Sequence, residues 1–433
     1  MAMVVKNNMS AVSTLNTLNK NSSALAKSLQ KVSSGMKINS AADDASGYAI
    51  SERMRVQIRG LDQANQNTQN GTSMMKVAEG AVSSTVDILK TLKEKVINAA
   101  NDTNTDADRA TIQKELDQSI DQINDNANVT YNGKYLVDGS KNSAIKNATT
   151  TSLTNESLSS DTTDGSYFSD LKDRNGNSLN INKLDTITMS VVREGVTKTF
   201  SVTGSSTLSD LVKLGSKDLL SDKIGTTSTI GSDIAGDTVS TADGGRALTI
   251  RAKGTGVTNQ ISGLTFSVTN TKGQVQKSAN AVLDNFTESI RAQNKSADNA
   301  ITLQVGTKAN QSIKVGLTDM RAEALGLQSS TGQTIQIGTQ KQANAAINVL
   351  DNAVQKALDQ QTTIGAVQSR LSYTSSNLTT ASENVQSSES TIRDADMAKE
   401  MTEYTKNNVL LQAAQSMLAQ ANQSSSSVLS LLQ

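Results

Sequence analysis

Asp43 and Asp44 are adjacent acids, the raw material of a paired-carboxylate acid–base site. Asp233, Asp237 and Asp243 share one polar stretch and carry the oxygen ligands that calcium or magnesium takes. Gly254-Thr-Gly256 brings the two glycines of a phosphate-cradling turn. Each has a plainer cause. Two acids ahead of a helix complement the positive end of its dipole. The spacing of the three aspartates matches no EF-hand and suits turns. The glycine pair lacks the strand-to-helix setting of a phosphate loop. Composition then narrows the chemistry: the 433 residues contain no His, Cys, Trp or Pro. That excludes a Ser-His-Asp triad, a His-based zinc protease and a thiolate nucleophile. Catalysis would rest on carboxylates, Lys or Tyr alone. No enzyme activity, cofactor or metal is expected.

Charge argues for self-association. Lys and Arg total 41, Asp and Glu total 41, so the formal net charge is zero. A phosphate-backbone binder is strongly basic, and this chain is not. A neutral chain does little to repel its own copies. Aromatic residues make up 2% of the sequence, which suits slender packed helices better than a bulky globular core. The first ten residues lack a basic region followed by an apolar run, so no cleaved secretory signal is expected. No window reaches about 18 consecutive apolar residues, so no membrane span and no membrane insertion are expected.

The elements that carry these residues are helical at both ends. Val4, Ala11, Leu15, Leu18, Leu25, Leu29 and Val32 step by fours and threes, with Asn8 and Ser22 in two polar slots. Gly35 is placed to end that helix. A second stripe runs Met74, Ala78, Ala81, Ile88, Leu92, Val96, Ala99, and closes in the turn-forming Asn101–Thr105. A third runs Ile112, Leu116, Ile120, Ile123, Ala127. Asn132-Gly133 between short β-prone segments signals a type I′ hairpin. Towards the other end, Leu350, Ala357, Ile364, Leu371, Leu378, Val385 and Ile392 recur every seventh residue. A helix over 341–393 would be about 80 Å long and must bury its stripe against partners. The last helix carries Leu410, Ala414, Met417, Ala421, Val428 and Leu431, widened by Leu411, Leu418, Leu429 and Leu432.

The middle reads differently. Alternating β-prone runs at 186–192, 198–202, 247–251 and 264–268 are separated by Gly, Asn, Asp, Ser and Thr. A further hairpin is expected from 301–305 and 312–315, and a short helix near 281–291. The fold class that follows is mainly α. Long coiled-coil-like helices from both termini form an elongated rod, with β-hairpins and an inserted β-rich outer domain.

The segment Leu29 to Ile50 (LQKVSSGMKINSAADDASGYAI) closely resembles the N-terminal signature of bacterial flagellins, as do Arg59–Ala64, Asn70–Ser73 and Ala78–Ala81. At the other end Glu383-Asn384, Glu389–Met401 (ESTIRDADMAKEM), Met417–Gln423 and Val428–Leu432 resemble the C-terminal signature. The resemblance covers about 1–140 and 299–433. It implies a filament subunit for swimming motility, with 1–42 and 395–433 as the two halves of an inner helical core. It also implies a rod built from 43–147 and 299–394, and a variable outer domain over 148–298. Further implications are export through the flagellar type III channel to the extracellular filament and self-assembly into an open helical homopolymer. The implied partners are an export chaperone on the C-terminal helix, the filament cap and hook-associated proteins.

On that reading the core-helix assembly residues are the seam residues Val4 to Val32 and Leu410 to Leu431 named above. Leu350, Ile364, Leu371, Leu378, Val385 and Ile392 pack the rod. Arg53, Arg55, Arg59, Asp394, Asp396 and Glu400 are candidate intersubunit charges. The resemblance also places an innate-receptor epitope, read by Toll-like receptor 5, at Leu89, Thr91, Glu94, Lys95 and Glu115. Thr91 stands where the family carries a key Arg, and Lys95 where it carries a Leu. Losing a bidentate donor and gaining a cation is expected to weaken that recognition. The alternatives are a hook–filament junction adaptor and a secreted coiled-coil adhesin acting through its insert.

Overall fold

The structure, a computed structural model, describes residues 8–216, 220–221 and 225–430. Three helices come first: α1 (Met9–Ser34), α2 (Ala45–Ala99) and α3 (Asp106–Ala127). A run of short strands follows: β1 (Thr130–Tyr131), β2 (Lys134–Tyr135), β3 (Ser152–Asn155), β4 (Thr186–Arg193) and β5 (Val196–Thr203). Helix α4 (Leu208–Ser216) precedes β6 (Thr229–Ser232), β7 (Thr238–Ser240), β8 (Leu248–Arg251) and β9 (Gly263–Thr269). Then come α5 (Lys277–Leu283), β10 (Thr287–Ile290), β11 (Ile301–Gln304), β12 (Ser312–Val315) and α6 (Ala322–Leu325). Two long helices finish the chain, α7 (Gln340–Arg393) and α8 (Met397–Ser430). No helix among the described residues is long and apolar enough to cross a membrane.

The chain forms two compact units, one of Met1–Thr68, Gln304–Gln311 and Tyr373–Gln433, the other of Gln69–Leu303 and Ser312–Ser372. The local reasons for the helices are visible. Gly35 ends α1 in the left-handed conformation at φ 71°, its N–H bonded to Lys31 O. Asp44 accepts N–H bonds from Ser46 and Gly47 at the start of α2, so this acid is a helix cap. Thr105 and Asp108 form a reciprocal capping box on α3. Arg109, almost fully buried, joins the two helices by donating to Ala99 O and Asn101 O.

Within α2 the inward stripe is strict. Leu61, Ala64, Thr68, Gly71, Met75, Ala78, Val82, Thr85, Leu89, Leu92, Val96 and Ala99 are all buried at alternating steps of three and four. The expected stripe of Met74, Ala81 and Ile88 is offset by one position. Met74 and Ala81 are buried beside it, because this helix meets more than one neighbour. On α7 the seven-residue repeat holds as expected: Leu350, Ala357, Ile364 and Leu371 are fully buried.

In the second unit two three-stranded sheets, ordered β5-β4-β9 and β10-β3-β8, are antiparallel throughout. Their core holds Leu153, Phe168, Ile187, Met189, Val191, Ile250, Phe266 and Val268. The hairpin at Asn132-Gly133 forms with both residues at positive φ. The expected helix near 281–291 is shifted. It spans Lys277–Leu283 and stops at Asp284, because Thr287–Ile290 is drawn into pairing with β3. Asp233 accepts the N–H groups of Ala235, Gly236 and Asp237, and Asp243 pairs with Arg174, so these acids shape turns.

Candidate assembly surface

The terminal helices α1 and α8 pack antiparallel in the first unit. On α1 the positions that lose exposure are Ala11, Thr14, Leu18, Asn21, Ala24, Leu25, Ser28, Lys31 and Val32. On α8 they are Glu400, Tyr404, Asn407, Asn408, Leu411, Ala414, Leu418 and Ala421. Thr14, Asn21 and Ser28 make the α1 seam partly polar, and polar groups reach across it. Asn21 Nδ2 donates to Leu410 O at 3.1 Å, and Asn407 Nδ2 donates to Ser28 Oγ at 2.9 Å. At the far end Asn8 caps α1 and also donates to Ala421 O at 3.2 Å. Near the other end Lys31 lies 3.6 Å from Glu400.

The apolar residues excluded from this seam face outward. On α1 these are Met9, Val12, Leu15 (45% exposed) and Leu29; on α8 they are Met397, Met401, Val409, Leu410 and Met417 (61% exposed). The sequence-based seam is thus divided. Ala11, Leu18, Leu25, Val32, Ala414 and Ala421 lie against the partner helix, whereas Leu15, Leu29, Leu410 and Met417 do not. Val4, Leu431 and the side chain of Val428 lie outside the described residues.

Where α1 and α8 meet α2 and α7, one buried guanidinium organises the junction. Arg393, at the end of α7, donates from Nη1 to Glu52 Oε1 at 2.6 Å and lies over the Tyr48 ring at 5.3 Å. The same hydrogen bond holds the Glu52 carboxyl below its ordinary pKa. The backbone closes around it: Lys37 N donates to Arg393 O, and Ala395 N donates to Gly35 O. Arg55 reaches Glu389 at 3.4 Å. Asp396 caps α8 through Ala398 N and Lys399 N, and Asp394 accepts from Ser390 Oγ. Of the six candidate intersubunit charges, Arg55, Asp394, Asp396 and Glu400 therefore have partners inside the chain. Arg53 and Arg59 are exposed and have no ion-pair partner among the described residues. Sequence reading missed Tyr48, Glu52 and Arg393: the first two lie one turn apart on α2, but Arg393 comes from the far end of the chain and shares no periodic signal with them.

The remaining residues fall as follows. Leu378 packs with Leu61 and Ala64, with Val385 against them, and Ile392 is half-buried. Leu89 is fully buried, whereas Thr91 and Glu94 are exposed. Lys95 is engaged with Glu115 at 3.0 Å.

Comparison with known proteins gives this geometry its family. The bacterial flagellin N-terminal helical region matches residues 5–142, and the bacterial flagellin C-terminal helical region matches 347–432. A flagellin of Clostridium tyrobutyricum is 34% identical over 422 residues, covering 97% of this chain and 99% of the relative. A flagellin of Bacillus subtilis (strain 168) is 31% identical over 450 residues, covering 99% of this chain and all of the relative. Among solved structures, FliC from Burkholderia pseudomallei aligns over 69% of this chain and 99% of its own, with 18% identity and a TM-score of 0.26. The matched regions contain both helices of the terminal pair, and the two curated relatives span nearly the whole chain. The chain belongs to the bacterial flagellins, the subunits of the flagellar filament.

Proposed function

We propose that the subunit is joined to its neighbours through the outward apolar rows of α1 and α8. The observation that carries this is the exposure of Met9, Val12, Leu15, Leu29, Val409, Leu410 and Met417 on one helix pair. Apolar rows of this extent mark association surfaces. A head-to-tail contact that does not close yields an open helical polymer. In this reading 1–42 and 395–433 form the inner core, and 43–147 with 299–394 form the rod. Residues 148–298 form the outer domain. Arg53 and Arg59 are the charges left for a neighbouring subunit.

The chain leaves the cell through the flagellar export channel without a cleaved signal peptide. A chaperone covers α8 until export, and the cap and hook-associated proteins bound the growing filament. The protein performs no catalysis and carries no cofactor. Toll-like receptor 5 binds it weakly, because Thr91 offers no guanidinium, Lys95 is engaged by Glu115 and Leu89 is sealed.

The test is electron microscopy of purified chain seeded with short filament fragments, beside a chain lacking 1–36 and 395–433. Only the full-length chain should extend the seeds. Equal growth by the shortened chain would refute the role given to the terminal helices.

A further inference from the structure

The β5-β4-β9 sheet turns one face to the core through Ile187, Met189, Val191, Phe266 and Val268. On its other face, three successive cross-strand rows carry a hydroxyl at every position. Thr186 is flanked by Thr203 and Thr269. Thr188 is flanked by Ser201 and Ser267, and Ser190 by Thr199 and Thr265. The hydroxyls meet across the strands, Thr188 with Ser201 at 3.3 Å and Ser190 with Thr199 at 3.3 Å. Threonine is stiff about χ1, so the block is ordered before anything binds to it. Threonine on an open strand face needs no further cause than its fit to a strand. This block, however, forms the floor of a groove of about 1020 Å³, and Ser190 within it is buried. Asn280 of α5 and Asn344 of α7 also line that groove.

Lys277 and Lys341 line the groove, are exposed, and form no ion pair among the described residues. The lining acid, Asp284, is turned to Phe266 N and Asn348. We propose that this groove binds a carboxylated glycan, a short run of uronic-acid-type sugars. Their hydroxyls lie on the Ser/Thr block, and their carboxylates meet Lys277 and Lys341. Hydroxyls and amides can supply both donors and acceptors, which is what the adjacent hydroxyls of a sugar require. The two ammonium groups add charge complementarity to the acid. The lining aromatic ring, Phe266, is buried and stacked on Phe286 at 5.4 Å, so it offers no free face to a nucleobase. The site lies wholly within the second unit and stands apart from the assembly reading.

The test is isothermal titration calorimetry of the full-length chain with tetragalacturonate, beside its methyl ester, which keeps the sugars and loses the charge. The acid should bind, and the ester should bind about ten-fold more weakly. Lys277→Gln with Lys341→Gln should bring the acid down to the level of the ester and leave the ester unchanged. Thr188→Val keeps a strand-favouring shape and removes a central hydroxyl, and should weaken both probes about three- to ten-fold. Circular dichroism checks that each variant folds. If Thr188→Val does not, Ser201→Ala on the edge strand β5 takes its place with the same expectation. No binding by the parent, an ester as tight as the acid, or a hydroxyl variant as tight as the parent would each overturn the proposal. A parent dimer in sedimentation that Thr188→Val dissociates would assign the groove to a second copy of the chain and overturn it as well.

Discussion

Lys356 Nζ lies 3.4 Å from Glu288 Oε1, and their side chains are only 9% and 7% exposed. Lys356 also donates to Gln260 Oε1 at 3.3 Å. Arg291 flanks Glu288 at 3.7 Å and pairs with Asp359 of α7. The middle segment is thereby held to α7 by an ionic network whose Lys356–Glu288 pair is buried and whose Arg291–Asp359 pair is open to solvent, joined by Asn348 to Leu264 O and Asn352 to Ser262 O. Its β9 and β10 sides lie directly on the long helix. Removing Lys356 leaves buried Glu288 with only Arg291, at 3.7 Å, beside it, which costs up to about 3–5 kcal/mol. Lys356→Met should therefore lower stability by that order in urea unfolding. Lys356→Met with Glu288→Leu should recover most of the loss. A double variant as unstable as the single one would show that the ion pair is not the cause.

Gly263 starts β9 where the strand crosses α7. A Cβ there would stand 2.6 Å from Val349 Cγ2 and 3.1 Å from Val349 N. Gly263→Ala should cost about 1–3 kcal/mol through overpacking. Adding Val349→Ala should return part of it, because the clash partner is gone. Gly133→Ala has open space around it and φ of 72°, so no neighbouring truncation should rescue it. Thermal unfolding of Gly263→Ala, Val349→Ala, their double variant and Gly133→Ala decides: strict additivity at 263 and 349 would refute the close contact.

Asp284 accepts hydrogen bonds from Phe266 N and weakly from Asn348, yet burial raises its pKa from 3.8 to about 6. Lys277 and Lys341 line the same groove, and among the described residues neither forms an ion pair with it. The folded state holds this proton more tightly than the unfolded chain. The resulting stability is complete below about 3.8 and is lost as pH rises through about 6. Asp173, Asp210 and Asp243 are held low by Asn177, Thr207 and Arg174, and so act only at lower pH. Between about pH 4 and 6 Asp284 should dominate. The wild type should be more stable at pH 5 than at pH 7, and Asp284→Asn should flatten that slope. An equal slope in both proteins would remove Asp284 as its source.

Arg393→Gln should loosen the junction of the first unit. Glu52 then loses its guanidinium partner, and its carboxyl should titrate closer to the ordinary 4.5. Carboxyl-detected NMR titration of Glu52 reads this directly. An unshifted Glu52 would mean that Arg55, at 3.5 Å, supplies the interaction instead.

Local causes make much of the fold legible in the amino-acid sequence. Gly35 ends α1 because glycine alone enters the left-handed region without cost, and Thr105 starts α3 because its hydroxyl satisfies a free N–H. The seven-residue repeat of α7, the turn at Asn132-Gly133 and the alternation in β4, β5, β8 and β9 depend on neighbours within a few residues. So do the capping and turn roles of Asp43, Asp44 and Asp233, since each bonds to nearby backbone. The flagellin signatures at both ends stand in the sequence as well.

Distant contacts settle the rest. The β10–β3–β8 sheet joins segments more than ninety residues apart, a pairing that no local pattern specifies. Gly263 and Lys356 acquire meaning only when β9 and β10 reach α7, and Arg393 only when Glu52 and Tyr48 arrive from the other end of the chain. The rotation of α1 is the sharpest case. Hydrophobic periodicity favours Leu15 and Leu29 inside, because it counts only transfer from water. The folded pair places Thr14, Asn21 and Ser28 there, because hydrogen bonds to Leu410 O and from Asn407 exist only once α8 is alongside.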